Sequence, residues 1–386
     1  MSTEPSDGAG TTRSRSSPLY AAGFVTAFGA HSIAASLGGY TERAHASLLA
    51  LGLLLAVYDG AEVVLKPVFG SLADRIGPRP VLLGGLVAFA LASAAFVVAG
   101  DPALVGVARF GQGAAAAAFS PAAGAMVARL APRSRRGRAF GGYGAWKGLG
   151  YALGPVLGGV LITLGGYPLL FGTLAVLAAA VAAWAALAVP AVPPLPRTRQ
   201  TVLDLARRLT TGGFVRPTLA LAGATAALAV GVGFLPVAGH GHGSLVTGAV
   251  VSLLAACAAV VQPWTGRLRD AGRIRDGAGM AAGLGLAAAG TAVAVVLPGV
   301  AGLVAAAVAI GTGTGLVTPI GFAHLAASTP PERLGQTMGA AEVGRELGDA
   351  GGPLLVGAIA AATTLGPGLA GLAVLLAVIA ATVATA

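Results

Sequence analysis

Long apolar runs separated by short polar, glycine- or proline-rich breaks recur along this chain from Pro18 to its C-terminus. Each run is about twenty residues, enough to cross a hydrocarbon layer of about 30 Å as a helix. Reading the runs against their punctuation predicts six spans in the first part: Pro18 to Gly38, Ser47 to Phe69, Val81 to Ala99, Ala103 to Leu130, Ala139 to Leu164 and Pro168 to Val189. Six more follow at Pro217 to Val237, Leu245 to Thr265, Ala278 to Leu297, Val300 to Ala327, Leu334 to Ala362 and Leu369 to the end. The expected fold class is all-α integral membrane, with twelve transmembrane helices in two pseudo-symmetric six-helix halves. Residues 18–189 and 217–386 form the halves, 1–17 a disordered cytoplasmic tail, and the proline- and arginine-rich 190–216 a cytoplasmic linker.

An internal repeat supports the division. A shift of 198 lays Pro132, Arg135, Gly137, Gly141, Leu149, Gly150, Gly154, Pro155 and Gly159 on Pro330, Arg333, Gly335, Gly339, Leu347, Gly348, Gly352, Pro353 and Gly357. A shift of 196 lays Pro67, Gly70, Leu72 and Asp74 on Pro263, Gly266, Leu268 and Asp270. Two related halves around a central site are the architecture of many secondary transporters.

Composition agrees: 56% of residues are hydrophobic and 10% charged, whereas soluble domains carry about a quarter charged. The single cysteine, Cys257, excludes a disulfide framework or a cysteine metal site. The net charge of +10 does not mark a nucleic-acid surface, because its arginines sit in short loops between apolar runs. Alternate loops hold Arg75 and Arg79; Arg133, Arg135, Arg136 and Arg138; the linker arginines; Arg267, Arg269, Arg273 and Arg275; then Arg333. The opposite loops hold only Arg43, so the positive-inside rule places both termini in the cytoplasm. Arginine outnumbers lysine 22 to 2 in an alanine- and glycine-rich chain, a composition that points to a GC-rich bacterial genome, and the localisation expected is a bacterial inner membrane.

Three motifs carry a resemblance. Gly70, Leu72, Asp74, Arg75, Gly77 and Arg79 follow the second run; Arg109, Gln112 and Gly113 lie in the fourth; Gly141, Gly150, Gly154, Pro155, Gly158 and Gly159 line the fifth. Together they resemble the signatures of the major facilitator superfamily, most closely its twelve-span drug/proton antiporters. The resemblance implies that Asp74 sits against the positive end of the eleventh span and latches an outward-facing state. It further implies that Arg109 serves proton transfer and that the fifth-span glycines belong to an exporter. Pro78 departs from the pattern, where a basic residue is usual. Physically, Gly150, Gly154 and Gly158 form a groove for close helix packing, which Pro155 is expected to bend.

Ionisable residues at membrane depth are the remaining pointers. Asp59, Glu62 and Lys66 share a face of the second span, and Glu342, Arg345, Glu346 and Asp349 a face of the eleventh. Asp59 and Arg345 each lie eleven residues from the cytoplasmic end of their helices. That puts both about 16 Å deep, and the resemblance packs these two spans together, so they are expected to form a gating ion pair. Glu62 and Lys66, four apart, equally fit a local structural pair. Asp59, Glu62, Arg109, Glu342, Glu346 and Asp349 are the candidates for proton coupling, with Glu346 and Asp349 foremost. His31, Tyr143, Lys147 and Arg345 are candidates for substrate contact or gating, although His31 also fits a core histidine. Lys147 and Arg345 match under the repeat; they either bind an anionic substrate or neutralise the acids.

The function expected is proton-coupled export of a drug or metabolite by alternating access, with import of a nutrient or organic anion as the alternative. Partners are then a small-molecule substrate, protons and the bilayer, with the monomer as the working unit. No cofactor or metal is expected. Neither His-Glu-x-x-His nor Gly-x-Ser-x-Gly occurs, which argues against an enzyme.

Overall fold

The computed structural model describes residues 8–43, 48–99, 102–194, 210–239 and 243–384. Among them there is no strand, and eleven helices follow one another. They are α1 (Gly8–Arg43), α2 (Leu48–Ile76), α3 (Pro78–Val98), α4 (Pro102–Leu130), α5 (Arg136–Ala188), α6 (Gly212–Ala238), α7 (Gly243–Asp270), α8 (Asp276–Val296), α9 (Val300–Ser328), α10 (Leu334–Ala362) and α11 (Leu365–Ala384). The sequence anticipates two spans where α5 runs. Its backbone leaves the helical region at Gly165 (φ −154°, ψ 20°) and Gly166 (φ 72°, ψ −172°), so α5 consists of two arms that match those spans. The left-handed φ at Gly166 is one only glycine adopts readily. The break falls there and not at Pro155, which lies inside the first arm.

α1 begins at Gly8, so helix extends into the segment expected to be a tail; residues 1–7, and most of the expected linker (195–209), lie outside the described residues. Seven described stretches are long and apolar enough to cross a bilayer by length and composition alone. α2 and α10 are not among them, since each carries its charges on a helix otherwise of membrane length.

Helix ends follow local chemistry. Gly77, at φ 96°, turns the chain between α2 and α3, and Pro78 opens α3 at the position where a missing N–H costs nothing. Arg79 caps the far end of α5, donating from Nε to the Val189 carbonyl (2.9 Å) and from Nη2 to that of Ala186 (2.5 Å).

The chain forms two compact units that are not quite the two sequence halves. The first comprises residues 1–132, 149–195 and 331–339; the second comprises 133–148, 196–330 and 340–386. Each half thus keeps its bulk and gives up one helix beginning, that of α5 or that of α10. In the first unit α4 is central, packed on α1, α2 and α3; in the second, α9 packs on α6, α7 and α8. Small residues permit this closeness. Ala115 to Ala118 are buried in α4, as are Gly311, Gly313 and Gly315 in α9.

Candidate functional site: two carboxylate latches and a buried charge cluster

In the first unit, Asp74 near the end of α2 is buried and meets the beginning of α10. Its Oδ1 accepts the Gly335 N–H at 2.7 Å and its Oδ2 the Gln336 N–H at 2.8 Å. The first N–H groups of a helix have no intrahelical acceptor and carry the positive end of its dipole, so a carboxylate satisfies both needs. Approach this close requires bare backbone: a Cβ on Gly70 would lie 2.5 Å from the Gly335 carbonyl oxygen.

The second unit repeats the device. Asp270, the last residue of α7, accepts the Gly137 N–H on Oδ1 and the Arg138 N–H on Oδ2, both at 2.8 Å, at the beginning of α5. Gly266 stands where Gly70 does, its α-carbon side pressed on the Gly137 carbonyl. The repeat that aligns Asp74 with Asp270 and Gly335 with Gly137 already contains this second latch. The motif alone does not mark Asp270, because Ala271 replaces its arginine and its turn glycine, Gly272 at φ 68°, stands one position early.

Glu342 is buried in α10, and two cations converge on it. Arg345 Nη1 lies 3.2 Å from Oε2 and Lys147 Nζ, from the first arm of α5, lies 3.7 Å from the same oxygen. These cations are the pair the repeat matches; the counterpart of Glu342 is Gly144, so no second acid stands there. The Arg345 guanidinium also lies 5.8 Å from the ring centre of Phe322, which stacks on Phe140. Tyr143 is buried on the same arm of α5 as Lys147. Glu346 is half-buried and Asp349 exposed.

A second charged string runs through the first unit. Lys66 and Glu62 form a buried pair at 2.8 Å, and Tyr58 donates to the other Glu62 oxygen at 3.2 Å. The Arg109 guanidinium stacks 4.2 Å from the Tyr58 ring centre and donates to Gln112 Oε1 at 2.8 Å and the Ala30 carbonyl at 3.4 Å. At 3% exposure Arg109 is enclosed and does not snorkel. Asp59 is exposed and belongs to the first unit, whereas Arg345, its expected partner, belongs to the second. Arg75 is exposed on the outside of its turn.

The fifth-span glycines face α1. Cβ atoms on Gly150 and Gly154 would lie 2.5 Å from the Phe24 carbonyl and 3.1 Å from that of Phe28. Ser32, which no sequence signal marks, donates to the Phe28 carbonyl at 2.6 Å and lies 2.8 Å from that of Gly154, joining the two helices. A Cβ on Gly158 would lie 2.9 Å from that of Ser32, while one on Gly159 would meet nothing within 4 Å. His31, one residue before Ser32, is exposed, with its ring 4.2 Å from that of Tyr151 and Nδ1 3.1 Å from the Ala27 carbonyl. Gly150→Val should therefore force α1 and α5 apart and lower the melting temperature of the purified protein by several degrees, whereas Gly159→Ala should leave it unchanged; equal melting of the two variants would refute the groove.

Two repeated helical units, long apolar helices and ion pairs buried between them mark a multi-pass membrane protein of the transporter kind. The chain belongs to the Major Facilitator Superfamily, whose family model matches residues 19–353. It is 33% identical over 151 residues to the probable actinorhodin transporter of Streptomyces coelicolor, a match covering 39% of this chain and 24% of that protein. It is 28% identical over 130 residues to the quinolone resistance protein NorA of Staphylococcus aureus, covering 33% of this chain and 34% of that one. The chain thus spans between a quarter and about a third of the length of these relatives. Among solved structures, the human organic anion transporter MFSD10 superposes with a TM-score of 0.84 over 98% of this chain and all of that one, at 17% identity. The Escherichia coli fucose:proton symporter FucP superposes with a TM-score of 0.79 over 95% of this chain and 97% of that one, at 16% identity. Those two likenesses establish the fold.

Proposed function

We propose that this transporter exports a small organic molecule in exchange for protons, with its arginine-rich loops and both termini in the cytoplasm of a bacterial cell. The observation that carries the coupling is Glu342, the buried carboxylate on which two repeat-related cations converge. Protonation removes the charge that holds Lys147, and with it the tie between α5 and α10. These are the two helices whose beginnings the latches hold, so a proton on Glu342 loosens both at once. Deprotonation restores the tie. A ligand that binds the two arrangements unequally then drives the exchange.

Glu342 is a better proton site than Glu346 or Asp349, because burial and two cations make its charge matter most to the surrounding helices. The Lys66, Glu62, Tyr58 and Arg109 string, with Asp59 beside it in sequence, supplies a second set of exchangeable partners in the first unit. Export is favoured by the fifth-span glycine groove and by a relative named for quinolone resistance. The fold of a fucose:proton symporter supports import as a second reading.

Reconstitution in liposomes with an imposed pH gradient tests the proposal, using a quinolone and actinorhodin as trial substrates. The wild type should move substrate against its gradient while dissipating the pH difference. Glu342→Gln should keep substrate exchange at equilibrium but lose gradient-driven accumulation by about a hundredfold or more, the usual scale for losing a positioned proton-transfer group. Unchanged accumulation in Glu342→Gln would exclude it as the coupling site, and co-movement of substrate and protons would establish import.

A further inference from the structure

Behind the second latch stands a His–Asp–Arg cluster, where the first latch has Arg129 and Glu332 near Asp74. Asp276, the first residue of α8, receives Arg269 Nε at 2.7 Å on Oδ1 and Nη2 at 2.8 Å on Oδ2, and His324 Nδ1 of α9 lies 2.9 Å from the same Oδ2. Arg269 Nη1 is also 3.8 Å from Oδ1 of Asp270, the latch carboxylate. Charge is therefore linked from His324 through Asp276, Arg269 and Asp270 to the N–H groups of Gly137 and Arg138. In the first half the corresponding positions, the start of α3 and the residue 198 before His324, are Pro78 and Met126, neither ionisable. The fold does not require the cluster, since the first latch closes without it.

The charges set the sign. The beginning of α5 presents a positive helix end ringed by Arg133, Arg135, Arg136 and Arg138. Facing it, the linked group of Arg269, Asp270 and Asp276 carries one negative charge while His324 is neutral and none once it is protonated, and Arg267, Arg273 and Arg275 add positive charge to the same turn in either state. The other cations on helices packed against α9 only add positive charge: Arg136 Nη1 donates to the Ala326 carbonyl at 2.5 Å, Arg267 lies in the last turn of α7, and Arg216 lies near the start of α6. A proton on His324 thus adds one positive charge to this network and weakens the attraction between the α5 beginning and Asp270.

We propose that His324 is a positioning residue that sets the strength of the Asp270 latch through its own charge, so that the latch is tighter with the imidazole neutral and looser with it protonated. This deepens the latch reading above by giving it regulation from the side its loops face. The proton on Glu342 drives transport; the proton on His324 adjusts the gate.

Double electron–electron resonance on the full chain in nanodiscs tests this without substrate or proton gradient, so failure of the exporter reading leaves it intact. Cys257→Ser removes the native thiol, and labels on Ser134→Cys and Ala271→Cys occupy exposed positions on either side of the latch. The ratio of short to long distances should rise about three- to tenfold from about pH 6 to about pH 8, the scale of one unit charge acting through a partly solvated path. His324→Gln, which keeps a hydrogen-bonding side chain but no charge, should hold the high-pH distribution throughout. His324→Lys should hold the low-pH distribution. A wild-type pH response in His324→Gln would overturn the proposal. An unlengthened distance in Asp270→Asn would overturn the latch and this role with it.

Discussion

Replacing both latch carboxylates, Asp74→Asn with Asp270→Asn, should abolish net transport in protein that still inserts and purifies as a single species, while each single replacement lowers the rate at least tenfold. Each carboxylate accepts two backbone N–H groups from a helix beginning, at 2.7 to 2.8 Å. Hydrogen bonds to a charged group contribute roughly 1.5–3 kcal/mol each, and the dipole adds about 0.3–1 kcal/mol. Asparagine keeps one acceptor but points an NH2 group at the second N–H, so one bond becomes a donor facing a donor. A loss of about 2 kcal/mol at each latch shifts its closed-to-open ratio roughly thirtyfold. The two carboxylates share no partner, so the losses should add. Initial rates normalised to inserted protein check this, with Asp→Glu at either position expected to recover part of the rate. Near-wild-type transport by the double variant would show that the latches carry no part of the cycle.

Much of this was readable from the chain. The runs beginning at Val300 and Leu334 coincide with the first residues of α9 and α10, because glycine or proline breaks and 3-10 turns fix those boundaries. The contact of Asp74 with the eleventh span followed from the resemblance. Its twin at Asp270 was contained in the repeat but hidden by the motif: a latch needs a carboxylate and a bare glycine crossing, whereas the motif also demands an arginine where the second loop has Ala271 and a turn glycine one position later than Gly272 (φ 68°). The charged face of α10 was legible as a face, yet spacing along one helix says nothing about which cation arrives from another. Lys147 reaches Glu342 across more than half the chain. The same holds for Asp276 and His324, brought together from separate helices, and for Ser32, a residue too ordinary to draw notice.

The glycine crossings give the second large effect, and one whose sign depends only on place. Gly70→Ala and Gly266→Ala add a methyl where a Cβ would press on the carbonyl oxygens of Gly335 and Gly137. Both obstacles are backbone and cannot rotate away, so the helices must part. A separation of about 1 Å would carry the latch hydrogen bonds past the distance at which they hold. The overpacking itself costs about 1–3 kcal/mol, and the lost latch adds to it, so either alanine should impair transport at least as much as Asp→Asn beside it. Gly84→Ala and Gly285→Ala supply the contrast, since a Cβ at either position meets nothing within 4 Å inside α3 or α8. There alanine should be neutral or raise stability by up to about 1 kcal/mol through its greater helix propensity. Melting temperature and initial transport rate, measured on all four variants, should separate the crossings from the open sites in both quantities. If Gly266→Ala behaves like Gly285→Ala, then α5 and α7 do not meet backbone to backbone, and the second latch loses its steric basis.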